Sequence, residues 1–314
     1  MYSIMASYHS LVSFLVMATT LVASQQCDLQ FDGRVPSDFN AATLNTDNGV
    51  FDPNNVFGQE VVRVKIFTNV NRVEPGLGGP TSRFTIIART QPPLDTDFDV
   101  GTIPIEVTIS DDSIFAPSAD NVQTGFRRAE LLIASNDGTD ASTTGVKTLH
   151  FSVMKDASRP LNLTHEYQLV FLESNDFSTN QFVLKTGTIL GADTADPDTL
   201  QLFGNVNANP PQTLFATPFT EDVFHNFAVT LDFDALTTQV FYSQDNDALV
   251  AQTETLANDV SGQGQFHFGV LKKGLNGGDD IVKNGEQEQG IDEGIIFGGI
   301  FEEDSSSGCI SLSV

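Results

Sequence analysis

Two glutamates, Glu130 and Glu166, are the residues of this chain whose type and setting best suit acid–base chemistry. Each lies in the middle of a strand-like run, on the face opposite the apolar side chains. Cleavage of a glycosidic bond needs one carboxyl group to protonate the leaving oxygen and another to activate water or attack the anomeric carbon. Arg128 shares the face of Glu130, and Lys185 is expected beside Glu166. Cations lower a carboxyl pKa and an apolar wall raises it, so these surroundings can divide the pair into acid and base. The alternative is a set of solvated salt bridges on a sheet surface.

Three runs, at 126–135, 164–174 and 180–187, must position these side chains. Strict alternation predicts that Tyr167, Leu169 and Phe171 face a core while Glu166 and Gln168 face the other way. The third run likewise turns Gln181 and Lys185 away from its apolar side chains. If the runs share a sheet, carboxyls, amides and cations converge on one surface that is typical of a polysaccharide cleft. We therefore expect Arg128, Gln168, Gln181 and Lys185 to contact substrate.

Three histidines are further candidates for proton transfer or for hydrogen bonds to sugar hydroxyls. His267 alternates with Phe266 and Phe268, His150 alternates with apolar neighbours, and His225 begins an apolar run. The alternative for each is a partly buried imidazole with satisfied hydrogen bonds.

The charge balance excludes several partners. The formal net charge is −26 and the pI is about 4.2, so the surface repels nucleic acid and other polyanions. The acidic loops lack the spacing of calcium-binding loops, and two cysteines are too few for a zinc site of that kind. The chain lacks GxSxG, HExxH and phosphate-binding glycine motifs. We expect no metal, no cofactor and a monomer.

The first residues are typical of a secretory leader. An apolar run at 11–23 ends in small residues, so residues 1–24 are predicted to be a signal peptide, with secretion to the extracellular space. The run is too short to span a membrane, and no membrane partner is expected. In an oxidising compartment Cys27 and Cys309 are predicted to form a disulfide. The sequon at Asn162 is a predicted glycosylation site.

The remaining sequence predicts an all-β chain. Short runs rich in Val, Ile, Phe and Thr, with 25 phenylalanines and no tryptophan, favour an antiparallel two-sheet sandwich or jelly roll with an open cleft on the concave sheet. Residues 245–257 are the one moderate helix candidate, with a loop as the alternative. Without a linker or repeat, residues 25–314 are expected to form one domain.

Several long motifs resemble glycoside hydrolase family 131, secreted fungal β-glucanases. They are FRRAELL, GVKTLHFSVMKD, HEYQLVFLESND, NQFVLKTGT, SGQGQFHFGVLKK and QEQGIDEGIIFGGIFEEDSSSGCISL. The resemblance implies a jelly roll that hydrolyses β-1,3-, β-1,6- and β-1,4-glucans, with catalytic glutamates at Glu130 and Glu166 and a catalytic histidine at His225. Some members carry a cellulose-binding module, which is not expected here.

Two other functions stay open. A lyase of similar architecture would need a basic cleft for a uronate polymer, which the net charge disfavours. A glucan-binding protein without hydrolytic activity would grip the polymer but release no reducing ends.

Overall fold

The structure, a computed structural model, describes residues 27–38, 50–52, 62–67, 84–89 and 102–313, with only the backbone of 62–67 and 84–89. These segments form 18 strands and one short helix, α1, at Ile281–Asn284. The strands are β1 Leu29–Asp32, β2 Val35–Pro36, β3 Val62–Phe67, β4 Phe84–Arg89, β5 Thr102–Ile103, β6 Ile105–Ser110, β7 Phe126–Leu132, β8 Val146–Lys155, β9 Glu166–Glu173, β10 Asn180–Gly187, β11 Thr199–Phe203, β12 Thr213–Pro218, β13 His225–Asp232, β14 Thr237–Gln244, β15 Val250–Ala251, β16 Leu256–Ala257, β17 Gln265–Lys273 and β18 Asp292–Asp304. The predicted leader lies outside the described residues.

Two large sheets make up the fold. A ten-stranded sheet has the order β15-β14-β13-β8-β18-β6-β4-β3, with β1 beside β18 and β16 beside β14. A six-stranded sheet has the order β12-β11-β10-β9-β17-β7. Neighbouring strands are antiparallel except β3 and β4, which run parallel. The predicted all-β, jelly-roll type of fold is confirmed.

The core lies between the two sheets and is rich in phenylalanine. Alternate residues of both sheets form one buried apolar cluster, because a strand presents every second side chain to the same side. Phe31 of the ten-stranded sheet lies 5.9 Å from Phe266 of the six-stranded sheet, measured between ring centroids. Phe151 and Phe227 stack at 5.2 Å within the same layer. Phenylalanine therefore fills the space between the sheets, as predicted.

The helix candidate at 245–257 is not a helix; the segment contains two short strands joined by irregular chain. This segment folds back along β14 as β15 and β16. Its backbone is held by a hydrogen bond from Gln252 to the carbonyl of Val240, and Thr253 accepts one from the Val240 amide. Hydrogen bonding to the edge strand β14 outweighs the weak helical preference that the periodicity of this segment indicates.

A disulfide closes the chain. Cys27, just before β1, and Cys309, just after β18, form the predicted bond. The two strands it flanks are neighbours in the ten-stranded sheet. No helix among the described segments is long and apolar enough to cross a membrane.

Candidate active site

The polar surface predicted from the sequence is the outer face of the six-stranded sheet, the face turned away from the core. Glu130 on β7 stands opposite Gly269 on β17, and Gln168 on β9 stands opposite Lys185 on β10. A Cβ at Gly269 would lie 2.0 Å from the backbone oxygen of Ala129. Glycine is therefore needed where β7 and β17 approach each other beside Glu130.

Glu130 is held in a buried ion-pair cluster. Arg128 donates from Nε to Oε1 at 2.9 Å and from Nη2 to Oε2 at 2.5 Å, and Nδ1 of His267 lies 2.8 Å from Oε2. The side chain of Glu130 has no exposed surface. Burial alone would raise the pKa of Glu130, but Arg128 and His267 outweigh it and lower the pKa to about 2. This carboxylate is therefore ionised at neutral pH.

Glu166 is the centre of a second cluster. Nζ of Lys273 lies 2.8 Å and Nζ of Lys185 lies 3.0 Å from Oε1, and the backbone N–H of Leu190 donates to Oε2 at 2.8 Å. Burial raises the pKa of Glu166, and the two lysines lower it by more, to about 2. The predicted contact between Lys185 and Glu166 is confirmed.

A β-bulge in β9 changes which side chains face outward. Val170 and Gln168 stand opposite the consecutive residues Leu184 and Lys185 of β10, so Leu169 is an extra residue in β9. Toward β17 the pairing of β9 also shifts at this place. An extra residue of this kind reverses the alternation beyond it.

Beyond the bulge, the side chains of Phe171 and Glu173 lie on the outer face, although strict alternation along β9 would place both in the core. Phe171, predicted to face the core, stands opposite His267 and stacks on its imidazole with ring centroids 4.4 Å apart. Glu173 stands opposite Gln265, and its carboxylate is partly exposed, with 27% of the side-chain surface accessible. The bulge thus brings a third carboxylate to this face.

One imidazole joins two of these carboxylates. His267 contacts Glu130 through Nδ1 at 2.8 Å and Glu173 through Nε2 at 3.4 Å. The ring nitrogens of an imidazole are about 2.2 Å apart, so the nearest carboxylate oxygens of Glu130 and Glu173 are at most about 8.4 Å apart. Burial lowers the pKa of His267, but its hydrogen bonds to Glu130 and Glu173 prevail and raise it. The cluster therefore favours an imidazolium between two carboxylates.

Glu166 and Glu173 lie on opposite sides of Glu130 along the direction of β17. The register places Gly269 opposite Glu130, whereas Lys273, four residues further along β17, contacts Glu166. Four residues of a strand span about 13 Å. The row of Arg128, Leu271 and Gln168 lies between the two glutamates.

A groove of about 990 Å³ opens over this face. The segment before β7 and helix α1 supply part of its lining, and the β9–β10 turn supplies another part. Its lining side chains include Arg128, Gln168, Phe171, Glu173, Lys273, Phe115, Phe177 and Ile281. The cationic side chains of Arg128 and Lys273 and the partly exposed carboxylate of Glu173 are therefore accessible from the same groove.

Three predicted site residues lie elsewhere or serve the fold. His225 is on the ten-stranded sheet, buried, with Nδ1 2.7 Å from the hydroxyl of Tyr242. His150 is on the face of that sheet away from the core, 3.0 Å from Glu303. Gln181 lies in the six-stranded sheet, but its amide bonds to the backbone of 262–263. The outer face of the six-stranded sheet therefore gathers six predicted site residues without these three: Glu130, Glu166, Arg128, Gln168, Lys185 and His267. Of these six, Arg128 and Gln168 line the groove itself.

Two charged residues of the groove, Lys273 and Glu173, were not predicted from the sequence. Lys273 follows His267 at even spacing, so alternation alone places it on the outer face. Glu173 gives no such signal, because the bulge at Leu169 reverses the alternation. Among the described residues no group of three or more His, Cys, Asp or Glu side chains is arranged to hold a metal ion.

The sequon residue Asn162 is part of a hydrogen-bond network. Its amide nitrogen donates to Glu288 at 2.8 Å, and its amide oxygen accepts from Thr164 at 2.8 Å. Glycosylation at this residue stays a prediction.

Comparison with known proteins identifies the family. Residues 29–308 match the family model described as the glycoside hydrolase 131 catalytic N-terminal domain. The family 131 catalytic domain from Coprinopsis cinerea is 20% identical, with a TM-score of 0.61 over 91% of this chain and 98% of that one. The family 131 β-glucanase catalytic domain from Podospora anserina is 23% identical, with a TM-score of 0.53 over 69% of this chain and 78% of that one. No protein among those with curated functions matches. With this match over nearly its whole length, the chain belongs to glycoside hydrolase family 131.

Proposed function

We propose that this protein is a secreted β-glucanase that hydrolyses β-1,3-, β-1,6- and β-1,4-glucosidic bonds in the groove of the six-stranded sheet. The observation that carries the proposal is the cluster of Glu130, His267 and Glu173, of which Glu173 lines the groove and the other two are buried beside it. Paired carboxyl groups of glycosidases lie about 5–9.5 Å apart. The bound of about 8.4 Å between the oxygens of Glu130 and Glu173 is compatible with that range.

In this proposal Glu173 meets the substrate first, because it is the partly exposed carboxylate of the cluster. The proton held on His267 passes from Nε2 to Glu173, which gives it to the glycosidic oxygen as the bond to the anomeric carbon breaks. Water adds to the anomeric carbon, and its proton goes to Glu130. Glu130 then gives this proton to solvent, and Glu173 takes one from solvent and passes it to Nε2 of His267, the nitrogen it contacts. The starting state is thereby restored, and every proton is accounted for.

Arg128 controls access to Glu130. It covers the carboxylate with two hydrogen bonds and also lines the groove. A sugar hydroxyl that takes over one of these bonds uncovers the carboxylate for water. Lys273 and Gln168 line the groove and supply further donors to the hydroxyls of the polymer. Lys185, paired with Glu166 on the same face of the sheet, is proposed as another donor.

The Glu130–Glu166 pair predicted from the sequence is a competing assignment, and one experiment separates the two. We would measure reducing ends released from β-1,3-, β-1,6- and β-1,4-glucans by the wild type and by Glu130→Gln, Glu173→Gln and Glu166→Gln. Loss of an acid or base costs about 10²- to 10⁴-fold in rate. We expect that loss for Glu130→Gln and Glu173→Gln, and a smaller effect for Glu166→Gln. A full loss in Glu166→Gln with an active Glu173→Gln would favour the other pair.

A glucan-binding protein without hydrolytic activity is the second candidate. It is favoured by one observation: Glu130 and Glu166 are both almost completely buried and ion-paired. A wild type that binds laminarin or cellulose oligomers but releases no reducing ends, with all three Gln variants unchanged, would establish it.

Secretion is proposed with the enzyme function. The predicted leader and the disulfide between Cys27 and Cys309 support it. Mass spectrometry of protein from culture medium is expected to give a mature chain that starts after about residue 24. Retention inside the cell with residues 1–24 attached would contradict it.

A further inference from the structure

We propose that the ring of Phe177 is a stacking platform for a glucosyl residue of the bound polysaccharide. This inference rests on the proposed function and adds a binding residue to it. Phe177 is 77% exposed, whereas most large apolar side chains of the described residues are buried. It lines the same groove as Glu173, four residues before it in the chain.

The backbone holds Phe177 in a conformation that disfavours it. Its φ is +58°, in the left-handed region where a bulky side chain is an outlier. Such strain persists only where surrounding contacts enforce it, and it clusters at ligand-binding sites. An exposed phenylalanine at this position lowers the stability of the folded state in two ways, through backbone strain and through an apolar ring left in water.

The turn that carries Phe177 is firmly held. The N–H of Phe177 donates to the carbonyl of Ser174 at 2.8 Å, and the hydroxyl of Ser174 donates to Asp176 at 2.7 Å. Ser178 donates to the same carboxylate through its backbone N–H at 3.1 Å and its hydroxyl at 2.7 Å. Asn207 donates to the carbonyl of Ser178 at 3.2 Å. The ring is therefore presented from a fixed base, which lowers the entropic cost of binding.

The other phenylalanines that line the described part of the groove have their faces covered. Phe171 stacks on His267, Phe126 is buried, and Phe115 lies against the guanidinium of Arg128, 5.2 Å from ring centroid to Cζ. Phe177 alone among them is exposed. The neighbouring Ser178, Thr179 and Asn180 also line the groove and offer hydrogen bonds to hydroxyls at the edge of a sugar ring. An apolar face rimmed by polar groups matches a pyranose, which has C–H groups on its faces and hydroxyls at its rim.

The test is the binding of laminarihexaose and cellohexaose, measured by calorimetry on the Glu173→Gln background to prevent turnover. We expect Phe177→Ala to weaken binding about three- to tenfold, the effect of one aromatic contact. Phe177→Leu keeps apolar area without a flat ring and should be equally weak, whereas Phe177→Trp should restore binding. Val250→Ala, at an exposed valine of the ten-stranded sheet, is the matched control and should bind like its parent.

Phe177→Gly separates binding from folding. Glycine tolerates the positive φ, so the unfolding midpoint of this variant should be unchanged or raised, while its binding of the oligosaccharides still weakens. A purely structural phenylalanine would instead lower the midpoint. Unchanged affinity in Phe177→Ala, or full affinity in Phe177→Leu, would overturn the stacking role while leaving hydrolysis intact. A wild type that neither binds nor cleaves any glucan would overturn both this inference and the proposed function.

Discussion

At the residue scale, the groove concentrates positive charge within a strongly acidic chain. The formal net charge is −26, yet Arg128, Lys185, Lys273 and the raised-pKa His267 all lie on one face. Each contacts a carboxylate, so most of the charge is neutralised locally. Arg128 and Lys273 also line the groove, and in the proposed function their N–H groups donate hydrogen bonds to a neutral polyhydroxyl polymer.

The charge state of His267 depends on its two carboxylate partners, which gives a direct prediction. Glu130→Gln removes the negative charge 2.8 Å from Nδ1, so the pKa of His267 should fall. Titration of the imidazole C–H protons by NMR checks this. The variant should also lose about 3–5 kcal/mol of stability in urea unfolding, because the buried guanidinium of Arg128 loses the carboxylate charge that it pairs with.

The control for that experiment is Glu254→Gln, at an exposed glutamate. It should leave both the histidine titration and the unfolding midpoint unchanged. An imidazole pKa that stays constant in Glu130→Gln would show that Glu130 does not hold the proton on His267.

Glu302 is a buried carboxyl outside the groove with a different role. It is fully buried, and neither of its oxygens has a hydrogen-bond partner within the described part of the chain. Burial raises its pKa well above 4.5, the value for the unfolded chain. The folded state therefore binds more protons above pH 4.5, and the protein loses stability as pH rises through that range.

Glu302→Gln removes this titration. We expect the variant to be more stable than the wild type by about 1–3 kcal/mol at pH 7, with a smaller difference at pH 4.5. Urea unfolding at both pH values measures it. Equal stability of the two proteins at pH 7 would mean that Glu302 finds a partner in solution.

At the scale of elements, β9 shows how far the sequence could predict this site. Alternation correctly placed four polar side chains on one face, because β7, the first half of β9 and β10 from Phe182 onward are regular. These side chains are Glu130, Glu166, Gln168 and Lys185. It failed for Phe171 and Glu173, since one extra residue at Leu169 leaves no trace in the hydrophobic pattern. His225 begins an apolar run as expected, but only the strand order reveals that this run belongs to the other sheet.

The loop after β17 is another element that the sequence did not reveal. It contains α1, which lines the groove, and it is attached to the sheets by Lys272. Nζ of Lys272 lies 2.5 Å from Glu288 in the loop and 2.6 Å from Glu293 in β18. Tyr167 donates its hydroxyl to Glu293 at 2.7 Å, so the contact is continuous with the core.

Lys272→Met should detach this loop. It leaves two carboxylates without their shared cation, and we expect a loss of about 3–5 kcal/mol in urea unfolding. Hydrogen exchange of residues 274–290 should accelerate first, before the strands exchange. Lys283→Met, at an exposed lysine of α1, is the control and should leave both measurements unchanged. Equal protection of the loop in both variants would refute its attachment through Lys272.

The disulfide acts on the two ends of the chain. It links residues 282 positions apart, so it restricts the unfolded state over almost the whole described length. Replacing both Cys27 and Cys309 with alanine should cost roughly 2–5 kcal/mol. The variant should keep the proposed hydrolytic activity at low temperature, because neither cysteine lines the groove. Loss of activity without loss of folding would contradict that separation.

At the scale of the whole molecule, acidity acts in opposite directions on the surface and in the interior. The many surface carboxylates repel one another at neutral pH, and this repulsion weakens as pH falls toward the pI of about 4.2. The interior carboxylates of Glu130 and Glu166 behave in reverse. Their pKa values are about 2 in the folded protein and 4.5 in the unfolded chain, so the unfolded state takes up protons first as pH falls. The contribution of these two carboxylates to the free energy of unfolding is present above pH 4.5 and is lost between pH 4.5 and about 2.

The free energy of unfolding should therefore pass through a maximum between about pH 4.5 and pH 6. On the acid side, each of the two groove glutamates should account for roughly 3 kcal/mol. On the alkaline side, ionisation of Glu302, loss of the proton from His267 and surface repulsion all reduce stability.

Urea unfolding across pH 2.5–9 at low and high salt separates these causes. Salt should raise stability at pH 8 by screening the surface charges but have little effect near pH 4.5. Glu166→Gln should flatten the acid limb without moving the alkaline one. An acid limb of unchanged slope in that variant would show that the buried ion pairs of the groove do not set the acid stability of the protein.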